Sequence, residues 1–207
     1  MSNIYLLSNV KSNNKDVINY SVFDIKYIDT NIDFNYYDAL IFTSKNAIYA
    51  LEYFNKDYKK VPSYAIAKKT ANILKDHNAN LVYTGISGHG DEFANEIKDK
   101  LKNKTVLYIR AKKVVSNLTK ILNCDEIVVY ETVCKENNSI DKIPKNSKII
   151  FTSPSTIKCF FKNNIWDDSY IAICIGKTTA SYLPKNIKYL ISKQTSIDSC
   201  IEEALNI

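Results

Sequence analysis

One arginine, two histidines and four glycines are all that this 207-residue chain carries of those types, and each scarcity removes a class of function. Arg110 stands alone among lysines spread along the chain, with no arginine-rich run and no basic stretch interleaved with aromatics, so a nucleic-acid groove is not indicated. His77 and His89 have no second His, Cys or carboxylate at a ligand spacing, which leaves a metal site without support. The glycines are Gly85, Gly88, Gly90 and Gly176; the Gly-Lys-Thr beginning at Gly176 lacks the upstream glycine of a phosphate-cradling loop, and nucleotide hydrolysis is rejected. No apolar run approaches the roughly 18 residues of a membrane span, and the apolar part of "MSNIYLLSNVKSNN" is too short for a secretory signal. The five cysteines, Cys124, Cys134, Cys159, Cys174 and Cys200, form no C-x-x-C and several lie in apolar runs. They are expected to be reduced core thiols of a cytoplasmic protein.

What the chain does have is a hydrophobic share of 45%, enough for one large core or two small ones, and a formal charge of +6. That charge fits an anionic ligand, although most lysines read as solvated surface. It also has a repeat. "IFTSKNAIYAL" (41–51) returns as "IFTSPSTIKCF" (150–160), and "SYAIAKKTANIL" (63–74) as "IAICIGKTTASYL" (171–183), with Phe42 and Phe151, and Thr70 and Thr179, each 109 residues apart. "DEFANEIKDKL" and "TSIDSCIEEAL" match at an offset of 104.

Each copy reads as alternating strands and helices. Ala39–Phe42 and Lys148–Phe151 are short apolar runs of the kind buried parallel strands show. Ala47, Ala50, Leu51 and Phe54 after the first, and Ile157, Phe160 and Phe161 after the second, mark amphipathic helices. Strands at 65–67 and 171–175 follow, then helices from Lys69 and Thr178. The expected class is α/β, with parallel sheets flanked by helices. "NIYLLSNV" (3–10) and "KTVLYIRAKK" (104–113) read as further strands, each followed by another run, "SVFDIKYIDT" (21–30) and "DEIVVYETVCKE" (125–136). These fit either two lobes joined by a pair of strands, one lobe discontinuous, or one sheet with consecutive halves.

In open parallel sheets, ligands sit at the carboxyl ends of strands, where helix N-termini present unpaired amides. Thr43-Ser44 and Thr152-Ser153 occupy that corner; Ser44 and Ser153 suit N-caps, and Pro154 suits the first helical position. For a single Thr-Ser, capping alone is the simpler reading. Four similar corners favour anion binding. At the other pair, Gly176 allows a sharp turn and close ligand approach, with Thr178 and Thr179 beside it, whereas Ala67 holds that place in the first copy. "TGISGHGDEF" is a glycine-rich loop with Asp91 as its cap, equally a surface turn; His89 within it reads as solvent-facing. Arg110 suits a carboxylate or a surface ion pair. Tyr130 lies in an apolar strand where a tyrosine ordinarily packs, yet an interlobe position would let its phenol donate a proton.

Taken in series, "IFTSKNAIYAL", "YAIAKKTA", "GHGDEFANEI", "VLYIRA", "IVVYETV", "IIFTSPSTI", "AICIGKTTA" and "TSIDSCIEEAL" resemble the uroporphyrinogen-III synthase family across almost the whole chain. The resemblance implies a monomeric, cofactor-free cytoplasmic enzyme of tetrapyrrole biosynthesis, with two α/β lobes, a two-stranded linker and a cleft between the lobes. It places residues 1–31 and 137–207 in a discontinuous lobe, 35–124 in an inserted lobe, and 21–34 with 125–136 in the linker. The implied substrate is hydroxymethylbilane, a linear tetrapyrrole with eight carboxylates, closed with its last ring inverted and water lost. By family match Tyr130 assists departure of the hydroxyl. Thr43, Ser44, Lys45, Asn46, Lys68, Thr70, Gly88, Arg110, Thr152, Ser153, Ser155, Gly176, Thr178 and Thr179 fall on substrate-binding positions. The rival expectation is a non-enzymatic two-lobe module that closes on a small anion, with no nucleic acid and no membrane as partner in either case.

Overall fold

The computed structural model describes residues 3–136, 140 and 143–207. The chain opens with β1 (Ile4–Leu7) and β2 (Val17–Tyr20), passes through β3 (Phe23–Tyr27), and continues as β4 (Ala39–Phe42), α1 (Lys45–Phe54), β5 (Ser63–Ala65), α2 (Lys68–Asp76) and β6 (Leu81–Thr84). Next come α3 (Gly90–Ile97), β7 (Val106–Ala111), α4 (Leu118–Leu122) and the long β8 (Asp125–Cys134). The repeat then resumes as β9 (Lys148–Phe151), α5 (Pro154–Asn163), β10 (Ile171–Cys174), α6 (Lys177–Ala180), β11 (Tyr189–Ile191) and α7 (Ile197–Leu205). Contacts divide the chain into two units, Met1–Asp24 with Val133–Ile207, and Ile25–Thr132. Both boundaries fall within strands, β3 and β8, rather than in loops.

The first unit holds a sheet ordered β11-β10-β9-β1-β2, and the second a sheet ordered β3-β8-β7-β4-β5-β6. The sequence repeat is therefore a repeated sheet. β9-β10-β11 stands beside β1 as β4-β5-β6 stands beside β7, with parallel pairing throughout these ladders. β2 lies parallel to β1, as β8 does to β7. β3 has no counterpart in the other sheet. It follows β2 after a break at Ser21 and Val22, so the run expected at 21–30 is only the second of two strands.

Helices on both faces bury the central strands completely, which is why β4 reads as an unbroken apolar run and β9 as one after its first residue, Lys148. In the second unit Leu40 and Phe42 pack with α1 and α2 residues such as Ala47, Leu51 and Leu74. Ala39 and Ile41 pack with Phe93 and Ile97 of α3 on the opposite face. The first unit repeats this, with Ile149, Phe151, Ile157 and Phe160 on one face, and Ile150, Ile173 and Ile201 on the other. Phe54, expected in the helix stripe, is instead 40% exposed at the last turn of α1.

With glycine so scarce, asparagine takes the left-handed positions: Asn78, Asn103, Asn123 and Asn146 all have positive φ. Gly88, at φ +72°, is the one glycine whose conformation a side chain would strain. Gly176 is not such a position. Its φ of −177° is extended backbone, and Ala67 in the first copy adopts nearly the same conformation at −161°. The substitution of alanine for glycine between copies therefore costs no turn geometry.

The cysteine expectation needs correction. Cys134, at the end of β8, is bonded to Cys159 of α5, while Cys124, Cys174 and Cys200 are free. Burial pushes the Cys174 thiol up to about 12. Lys148 departs from the solvated pattern in another way: it is 7% exposed, and its ammonium donates to the carbonyls of Ala204 and Ile207 at the carboxyl end of α7. A buried cation there meets the negative end of the helix dipole. No described helix is long and apolar enough to cross a membrane.

Candidate active site

The best-built corner lies in the second unit, where β4 ends at Phe42 and α1 begins after Ser44. Ser44 is the N-cap, with extended backbone and a hydroxyl that accepts from the Asn46 amide at 3.2 Å. A tyrosine reaches this corner from each face of the sheet. On one face Ile41 sits beside Tyr108 in the β4–β7 register, and two residues on, the Thr43 hydroxyl meets the Tyr108 hydroxyl at 2.8 Å. On the other face Tyr130 packs with Phe42, and its phenol lies near enough to the Ser44 hydroxyl to feel it.

Tyr130 reaches that face because of an irregularity. The β7–β8 register shifts between Arg110 and Ala111, so that Val128 lies opposite Arg110 but Tyr130 opposite Ala111. A regular strand would send Val129 and Tyr130 to opposite faces; here both belong to the same core cluster. Tyr130 is 7% exposed. Burial raises its phenol above the ordinary tyrosine value, the Ser44 hydroxyl works in the opposite sense, and Tyr108 adds to the rise.

In the first unit the matching corner is tied differently. Thr152 donates its hydroxyl proton to the Leu7 carbonyl at 2.9 Å, joining the ends of β9 and β1. Ser153 and Thr156 form a full capping box at the start of α5, with Pro154 at the first helical position. Ser155 lies half-buried in the first turn. The second pair of corners has no side-chain caps at all, since Ala67 precedes α2 and Gly176 precedes α6. Thr70 and Thr179 are buried at 6% and 4% exposure, whereas Lys68 and Thr178 face solvent. Lys45 is likewise exposed and Asn46 half-buried. α6 is only four residues long, against the fuller helix expected from Thr178.

Other expected residues prove to be engaged within the protein. The Arg110 fork is occupied: one terminal nitrogen donates to the Ala111 and Lys112 carbonyls and the other to Glu126, while its buried Nε has no partner among the described residues. That pair holds the Glu126 carboxyl below its usual range. Asp91 is not the cap of α3; His89 occupies that position without a side-chain bond, and Asp91 accepts from the Asn117 amide at 2.6 Å. Gly88 and His89 are exposed.

Tyr108 and Ser116 carry structure at the corner that sequence patterning did not single out. A tyrosine inside "VLYIRA" has the look of core, and at 1% exposure it is core; only its hydroxyl end does something further. A polar cavity of about 190 Å³ beside the carboxyl end of β1, lined by Ser8, Asn9, Lys11, Asn19, Ser21 and Asp24, was equally unmarked.

A family model described as uroporphyrinogen-III synthase HemD matches residues 10–202. The porphyrin biosynthesis protein HemD of Ruminiclostridium josui is 28% identical over 193 residues, covering 83% of this chain and 38% of that protein. The chain thus spans well under half the length of that curated relative. The crystal structure of uroporphyrinogen-III synthetase from Helicobacter pylori matches at a TM-score of 0.86 and 32% identity, covering 100% of this chain and 99% of that one. A mutant uroporphyrinogen III synthase from Thermus thermophilus shares the fold at a TM-score of 0.54 and 12% identity, covering 92% of this chain and 89% of that one.

Proposed function

The chain belongs to the uroporphyrinogen-III synthase family, and from that membership we propose that it cyclises hydroxymethylbilane to uroporphyrinogen III with loss of water and inversion of the last pyrrole ring. The observation that carries this reading is the match, over the full length of both chains and at 32% identity, to the Helicobacter pylori synthetase.

Hydroxymethylbilane loses its terminal hydroxyl as water to give an electrophilic azafulvene. Attack by the substituted carbon of the last ring forms a spiro intermediate, which fragments and recloses with that ring inverted. The bilane can also close unaided, without inversion, so the protein's main task is to select a conformer. Helix starts suit an eight-fold carboxylate ligand, because their first amides carry partial positive charge without bulky side chains. The binding positions proposed are Thr43, Ser44, Lys45, Asn46, Lys68, Thr70 and Gly88 of the second unit, and Thr152, Ser153, Ser155, Gly176, Thr178 and Thr179 of the first. Arg110 contributes charge with both terminal nitrogens already engaged within the protein.

Tyr130 is proposed as the proton donor to the departing hydroxyl. Its phenol lies beside the Ser44 cap of α1, and burial keeps it protonated through neutral pH, the state a proton donor needs. A monomer in the cytoplasm, free of cofactor, completes the proposal.

Freshly made hydroxymethylbilane added to the purified chain should yield the type III isomer, resolved chromatographically after oxidation to porphyrin. Type I alone, in the presence of bound bilane, would instead support a non-enzymatic anion-binding module.

A further inference from the structure

We propose that Tyr108 is a positioning residue for substrate binding, turning the Thr43 hydroxyl proton outward to a carboxylate of the bilane; this rests on the synthase reading above. Three features support it.

The first is the pair of hydroxyls. The buried Tyr108 oxygen meets the Thr43 hydroxyl at 2.8 Å. Tyr108 is 1% exposed whereas Thr43 is half-buried, so the arrangement in which Tyr108 donates to Thr43 satisfies the inner proton and leaves the Thr43 proton facing out. That donation polarises the threonine hydroxyl, making Thr43 a stronger donor to an anion than an isolated threonine. Burial keeps the Tyr108 phenol protonated through neutral pH, as this direction of donation requires.

The second feature is the contrast with the other copy. Leu6 stands beside Ile150 as Tyr108 stands beside Ile41, so no hydroxyl comes from that position, and Thr152 donates its proton inward to the Leu7 carbonyl. Equivalent threonines thus have opposite proton directions available to them, and only Thr43 retains a donor for an acidic ligand.

The third is what holds the phenol. Ser116 belongs to the loop between β7 and α4, and it lies so close to Gly90 that a Cβ there would come within 2.4 Å of the serine Cβ. The Tyr108 ring packs with Phe93 of α3 and Leu118 of α4, so the phenol that meets Thr43 is held by the same elements that this contact brings together.

The test compares Tyr108→Phe, Thr43→Val and the double variant in steady-state turnover of hydroxymethylbilane to the type III isomer. Tyr108→Phe removes one buried oxygen and keeps the ring. It should raise KM roughly three- to tenfold with kcat changed less than about twofold, the size expected for one lost hydrogen bond. Thr43→Val should raise KM at least as much, and the double variant no further than Thr43→Val alone, since the phenol acts only through the threonine. Unchanged KM in Tyr108→Phe, or KM effects that multiply in the double variant, would overturn the positioning role while wild-type turnover still upheld the synthase reading. An equal fall of activity with no KM shift would assign Tyr108 to structure only and overturn it likewise. If Tyr108→Phe does not fold, Thr43→Val must by itself raise KM while Thr43→Ser, which keeps the hydroxyl, holds the wild-type value, for the proposal to stand. Absence of type III product from the wild type would bring down the synthase reading, and this one with it.

Discussion

A buried phenol holds its proton well past neutral pH and can give it to a neighbouring oxygen, and the β4–α1 corner has two such groups, Tyr108 and Tyr130. For Tyr130 the consequence is kinetic. Tyr130→Phe should lower kcat by about ten- to a thousandfold with KM little altered, because general-acid assistance acts in the transition state; single-turnover measurements with fresh bilane check this. Burial raises that phenol above its ordinary value near 10, so the protonated, competent form persists upward through neutral pH and is lost only in strong alkali. The kcat profile should accordingly show no falling limb from this group between about pH 7 and 9. Tyr130 was picked out in the sequence by resemblance, not by pattern, since its face depends on the register shift at Arg110 and Ala111 that no alternation of residues reveals. Arg110 was legible as a charge at a strand end, but its engagement with Glu126 was not, because the two are sixteen residues apart.

Helix starts differ in how they are closed. α5 has a reciprocal capping box, in which Thr156 also donates back to the Ser153 carbonyl at 2.6 Å, and Thr156 is fully buried. Thr156→Val keeps the shape and loses the bonds; it should cost about 1 to 2 kcal/mol in urea unfolding, with the m-value unchanged. α2 and α6 begin without side-chain caps, so their first amides are left to backbone, solvent or ligand. These elements were readable from Phe-Thr-Ser and Lys-Thr-Ala because apolar periodicity and capping chemistry are local. What was not readable is equally instructive. β2 is four residues with two exposed positions, too short for a pattern. The bond between Cys134 and Cys159 joins a strand end to a helix face across 25 residues, a spacing that carries no motif.

At the scale of the molecule the +6 formal charge bears on the proposed polyanionic substrate. Raising ionic strength from about 0.05 to about 0.5 M should increase KM for the bilane several-fold through screening, while kcat stays within about twofold; a flat KM would mean that the lysines serve solubility only. The order of strands could be anticipated only in part. The 109-residue repeat implied matching sheets, but which residues leave one unit for the other is read from the contacts and pairing of β3 and β8, not from composition. That crossing shapes how the chain is made. β1 lies between β2 and β9 in its sheet, and β9 begins at Lys148. On a ribosome adding about 5 to 20 residues per second, the opening strand waits on the order of ten seconds for that neighbour, long enough for the intervening 25–132 segment to be synthesised in full. β1 is thus made before the inserted unit and gains its second neighbour only after it.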